Sequence, residues 1–133
     1  MGTTTESRPL GRRRPRFLNL TQIRLPVGAL ASLSHRASGV LLVLATPLAL
    51  FLLDRSLHDP DAARELWGAV AGSPWRLVLV LPVWALAYHL LAGLRFLALD
   101  LGRGESLPAA RASAKVVLLG GLAAALATGA ALL

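Results

Sequence analysis

The sequence predicts an all-α membrane protein built on three transmembrane helices, and three observations carry that expectation. Apolar side chains make up 55% of the 133 residues, with a mean hydropathy of +0.60, well above the usage of an ordinary water-soluble domain. Three apolar segments are each long enough to cross a bilayer. The charged residues fall almost entirely in an N-terminal tail and in the two connections between those segments.

Residues 1–24 read as a basic tail. Arg8, Arg12, Arg13, Arg14, Arg16 and Arg24 face a single acid, Glu6, and Pro9 and Pro15 punctuate the stretch. Such a composition buries too little apolar surface to order itself alone. The net charge of +7 therefore sits beside a membrane span, where the positive-inside rule and anionic lipid account for it. No aromatic-basic interleaving accompanies it, so nucleic acid is not an expected partner. The first apolar run begins too late, and is too long, for a secretory signal, so the chain is expected to be retained whole.

Residues 25–133 read as the membrane domain, with spans at about 29–53, 75–99 and 115–133. Pro26 suits a first helical turn, where its missing N–H is not needed. Ala37 to Leu53 is 17 residues without a charge, roughly 25 Å of helix, and Arg36 marks one interface. Pro47 inside this run is expected to bend it. Asp54 to Pro74 reads as a slightly acidic loop, with Asp59-Pro60-Asp61 as a turn or a helix start.

In the second span Trp75 suits an interfacial belt and Pro82 is expected to kink the helix. Asp100 to Lys115 reads as a second loop, basic through Arg103, Arg111 and Lys115. This charge distribution places the N-terminus in the cytoplasm and the C-terminus on the periplasmic side. The third span carries Gly121, Ala125 and Gly129 at four-residue spacing, a pattern that allows close helix approach. Three helices alone leave much apolar surface uncovered, so further helices from another chain are expected.

The chain has no cysteine, which excludes disulfides, thiol catalysis and Cys-ligated zinc or iron–sulfur clusters. It also lacks any carboxylate pair, nucleophile and base set, or phosphate-binding glycine loop, so no self-contained active site is expected. The candidates for chemistry are ionisable groups within the spans, which are costly in hydrocarbon and point to function by default.

His89 has Ala85, Ala92, Gly93 and Phe96 on its helix face, mostly small, leaving room for something flat and bulky. Counted from Leu99 it lies about 15 Å into the span, near the middle. It reads either as a haem iron ligand or as a histidine hydrogen-bonded to another helix. Ser32, His35 and Arg36 share one face at the cytoplasmic boundary. They suit a quinone carbonyl or a carboxylate such as a haem propionate, or else a snorkelling arginine among polar interface groups. Arg95 and Asp100 lie at the same boundary, as a pair or as separate anchors.

Taken together, Leu25-Pro26, the run Ser32-Leu33-Ser34-His35-Arg36-Ala37-Ser38-Gly39, Ala87-Tyr88-His89, Gly93-Leu94-Arg95 and Asp100 resemble the cytochrome b556 anchor subunit of bacterial succinate dehydrogenase. The resemblance runs from about Arg14 to Lys115. It implies half of a heterodimeric six-helix bundle that binds haem b between two anchor subunits in the bacterial inner (cytoplasmic) membrane. Expected partners are a second three-helix anchor, an iron–sulfur subunit, a flavoprotein subunit and membrane lipid.

By the same resemblance His89 aligns with an axial ligand of the haem iron, the other ligand coming from the partner anchor. Ser32 and Arg36 align with the ubiquinone pocket, and His35 and Arg36 with the haem propionate region. The implied role is non-catalytic electron transfer, from succinate oxidation in the tricarboxylic acid cycle to ubiquinone. A fumarate reductase anchor and a haem-free membrane scaffold are the alternatives. Phe96 departs from the family, which often carries histidine there.

Overall fold

The computed structural model describes residues 24–133, and the basic tail, apart from Arg24, lies outside the described residues. The described chain is helical, with no strand. Helix α1 spans Val27–His58, α2 Pro60–Ala71, α3 Val80–Asp100 and α4 Leu107–Leu132, with a 3-10 segment, Pro74–Leu79, leading into α3. By length and composition α1, the unit Pro74–Asp100, and α4 can each cross a membrane.

Helix α1 starts directly after Pro26 and runs through Pro47 as a single helix, ending beyond the charge-free run. Its 32 residues extend roughly 48 Å, more than the hydrocarbon thickness, so it projects past the bilayer or tilts. Most of the segment expected as a loop after it is helix α2. The Asp59 side chain accepts from the Ala62 N–H at 3.1 Å, Pro60 occupies a position that needs no N–H, and Asp61 favours the first turn. Ala63 is buried and Asp61 pairs with Arg64 on the outer face, so α2 is amphipathic rather than membrane-spanning.

Two further expectations meet a different local setting. Pro82 falls in the first turn of α3, where no intrahelical partner is lost, and the helix changes from 3-10 to α just before it. Helix α4 begins at Leu107, well before Lys115, because a hydropathy reading finds where a helix enters lipid, not where its hydrogen bonds begin. The turn between α3 and α4 closes with Gly102 at φ 73°: its N–H bonds to Leu99 O at 2.8 Å and that of Arg103 to Ala98 O at 2.9 Å. This is a Schellman motif, which glycine at that position accommodates without strain.

Helix α3 is central, packing most extensively on α4 and next on α1. In lipid there is no hydrophobic force between helices, so close contact depends on small residues and a few polar bonds. The buried set fits that rule: Ala31, Ala85, Ala92, Ala114, Val117, Gly121, Ser38 and Tyr88. Tyr88 joins all three spans. Its hydroxyl donates to the Ala31 carbonyl of α1 at 3.0 Å, its ring stacks on Trp84 with centroids 5.5 Å apart, and it lies against Gly121 of α4. Of the expected small-residue stripe, Gly121 makes this contact, whereas Gly129 faces open space.

Candidate functional site

The site lies where α1 crosses α3. His35 and His89 are brought face to face, with ring centroids 4.1 Å apart and planes within 18°. One small residue permits this: a Cβ on Gly39 would sit 3.0 Å from His89 Cε1, whereas one on Gly93 would make only an ordinary contact, 3.9 Å from His35 Nε2. Phe96 packs on His35 at 5.2 Å, tilted by 52°.

Hydrogen bonding fixes which His89 nitrogen carries the proton. The Ser38 hydroxyl donates to the His35 carbonyl at 2.8 Å. His89 Nδ1 lies 3.2 Å from that same carbonyl and 3.2 Å from Ser38 Oγ. A carbonyl only accepts, and the single Ser38 proton is already directed at it, so Nδ1–H is the remaining donor and is shared between two acceptors. The tautomer follows by inference: Nδ1 is protonated and Nε2 keeps its lone pair. Among the described residues no hydrogen bond reaches His89 Nε2, whereas His35 Nε2 is buried without a partner.

The expected residues are only partly assembled. His35 turns toward α3 and Ser32, one turn earlier, is half-buried, but Arg36 is exposed and does not meet His89. Among the described residues neither Ser32 nor Arg36 makes a side-chain hydrogen bond. His89 lies level with His35, and Arg95 follows it six residues, roughly 9 Å, further along α3, which remains helical through Asp100.

Arg95 does not pair with Asp100. Its Nε donates to Ser113 Oγ at 3.0 Å and its guanidinium to the Ala110 carbonyl at 3.1 Å, tying α3 to the start of α4, while the guanidinium carbon lies 5.2 Å from the Phe96 ring centroid. Ser38, Gly39 and Ser113 escaped the sequence reading as site or contact residues. For Ser38 the signal was its place three residues after His35, on the same face and beside a glycine.

No cluster of three or more His, Cys, Asp or Glu side chains forms among the described residues, so they provide no cage for a bare metal ion. What they offer is one imidazole with an available Nε2, oriented through Nδ1 and flanked by glycine. That fits an iron already held in a macrocycle and completed by a ligand from elsewhere, since metal-bound imidazoles usually donate their other N–H to an oxygen.

The sequence profile of the family described as "Succinate dehydrogenase/Fumarate reductase transmembrane subunit" matches residues 11–128. The chain belongs to this family. Among its relatives, the succinate dehydrogenase cytochrome b556 subunit of Coxiella burnetii is 37% identical over 108 residues, 80% of this chain and 86% of that protein. The protein of the same description from Paracoccus denitrificans is 33% identical over 115 residues, 86% of this chain and 88% of its own length. Three long apolar helices are coherent with a transmembrane subunit, and the relatives are named as subunits of succinate dehydrogenase, an enzyme complex.

Proposed function

We propose that this chain is a membrane-anchoring cytochrome b subunit of succinate:ubiquinone oxidoreductase in the bacterial inner membrane, with its N-terminus cytoplasmic and its C-terminus periplasmic. The observation that carries the reading is the Nδ1–H of His89 directed at the His35 carbonyl and Ser38, which leaves Nε2 as a ligand. His89 would hold haem b through Nε2, with a partner three-helix anchor supplying the other protein ligand. The large outward leucines, such as Leu90 and Leu94 on α3, supply apolar surface for that partner.

When bound, haem b supplies one-electron chemistry. The chain's own residues do the rest. The His35 carbonyl and Ser38 orient the imidazole. Ser32 donates to a ubiquinone carbonyl, and Arg36, exposed one residue from the imidazole stack, offers a fixed positive charge to the quinone and to the propionate region, where His35 also belongs. A flavoprotein and an iron–sulfur subunit on the cytoplasmic face would deliver electrons from succinate. The relatives' description favours this direction over fumarate reduction.

The test is the haem spectrum of the purified complex. His89→Ala is expected to abolish or shift the low-spin b-type bands. A wild-type complex with those bands and a His89→Ala complex indistinguishable from it would remove the ligand role. A complex with no b-type haem at all would leave a haem-free membrane scaffold.

A further inference from the structure

Ser38 is wholly buried. A serine inside a membrane helix usually satisfies itself by donating to a carbonyl three or four residues back, and Ser38 does this to His35. That accounts for its hydrogen. It does not account for its oxygen, which faces the Nδ1 of a histidine on another helix at 3.2 Å, at a point where the next residue, Gly39, lets that ring approach.

We propose that Ser38 is a positioning residue for the His89 ligand, its hydroxyl and the His35 carbonyl together forming a two-acceptor cradle that fixes the ring's tautomer and rotation. The geometry is mutually dependent: the Ser38 hydrogen fixes the hydroxyl against the His35 carbonyl, and that leaves its lone pairs toward Nδ1–H. The bonds to Nδ1–H raise the basicity of Nε2. Without Ser38 the ring keeps one acceptor, gains freedom to rotate, and donates less electron density to a metal. The proposal rests on the reading of His89 as haem ligand.

The experiment compares the assembled wild-type complex with Ser38→Ala, Ser38→Thr and His89→Ala, by optical redox titration and by electron paramagnetic resonance of the oxidised haem. Succinate oxidation with an artificial acceptor reports assembly in each. Alanine removes the hydroxyl with little change in volume; threonine restores it. Ser38→Ala is expected to retain haem less firmly, by roughly tenfold, and to show a raised midpoint potential and a shifted resonance, since the oxidised iron loses ligand donation. Threonine is expected to return both toward wild type.

An assembled Ser38→Ala complex with wild-type potential and resonance overturns the proposal. If Ser38→Ala assembles without haem, recovery in Ser38→Thr supports it, and an equally haem-free threonine complex overturns it. His89→Ala separates the two failures: retention of the haem signature there refutes the ligand reading itself, whereas its loss there beside an unaltered Ser38→Ala refutes only the role of Ser38.

Discussion

Adding one methyl group to Gly121 tests how the three spans are held together. A Cβ at this position would lie closer to Tyr88 Cδ2 than real side chains permit, and 3.3 Å from both Cβ and Cγ of the same residue. Tyr88 cannot swing aside, because the close atoms lie at the root of its side chain, its hydroxyl is tied to Ala31 and its ring stacks on Trp84. Gly121→Ala therefore forces α3 and α4 apart. Overpacking of this kind costs about 1–3 kcal/mol, and a contact that involves the root of a held ring belongs at the upper end. Helix propensity returns up to about 1 kcal/mol for replacing glycine. The net loss is about 2 kcal/mol, or roughly thirtyfold in the folding equilibrium at 1.4 kcal/mol per decade. The assay is reversible denaturation in mixed micelles of increasing detergent denaturant, with Gly129→Ala as reference because that position meets nothing within 4 Å. If both variants unfold at the wild-type midpoint, the account of α3–α4 packing is wrong.

Three other outcomes follow from the site. Arg36→Leu is expected to lower ubiquinone reduction at least tenfold while succinate oxidation with an artificial acceptor persists; equal loss of both activities would indicate failed assembly instead. Gly39→Ala places a carbon 3.0 Å from His89 Cε1, so the ring must tilt; a shifted haem spectrum is expected, with helix content by circular dichroism unchanged. Arg95→Lys keeps the charge but cannot reach Ser113 Oγ and the Ala110 carbonyl with one planar fork. It is expected to destabilise the α3–α4 end by about 1 kcal/mol, read as a lower thermal midpoint, and Ser113→Ala is expected to account for part of that loss.

The spans were legible because membranes exclude charge, so the uncharged run 37–53 and its counterparts mark themselves. Helix α2 was legible only at its start, where Asp59-Pro60-Asp61 read as a turn or a helix start; its extent was not. Its apolar positions Ala63, Leu66, Trp67 and Val70 alternate with charges on a twelve-residue segment, too short and polar to register against spans of twice that length. The start of α4 was hidden for the reverse reason, since Arg111 and Lys115 read as loop although helices in water tolerate both. At the site, residue types and spacing within one helix singled out His35 and His89. Their contact across helices was not legible, because periodicity describes one helix at a time and carries no information on which turn of α1 crosses which turn of α3. The same gap concealed Ser38, whose role depends wholly on a neighbour 51 positions away.

The division between small and large residues explains why fold and site are one problem in this chain. Leu44, Leu90 and Leu119 point outward, each more than 60% exposed, while the helix crossings are lined by Ala31, Gly39, Ala85, Ala92, Gly93 and Gly121. In lipid the leucines gain nothing by packing within the chain, so the crossings close only as far as the small side chains allow. The imidazole stack at 4.1 Å is a product of that closeness, since Gly39 admits the His89 ring. A methyl group added at a crossing must therefore alter His89 even from several turns away, by separating α3 from its neighbours. An outward leucine exchanged for another large apolar residue leaves the stack untouched and acts only on whatever helix or lipid covers that face.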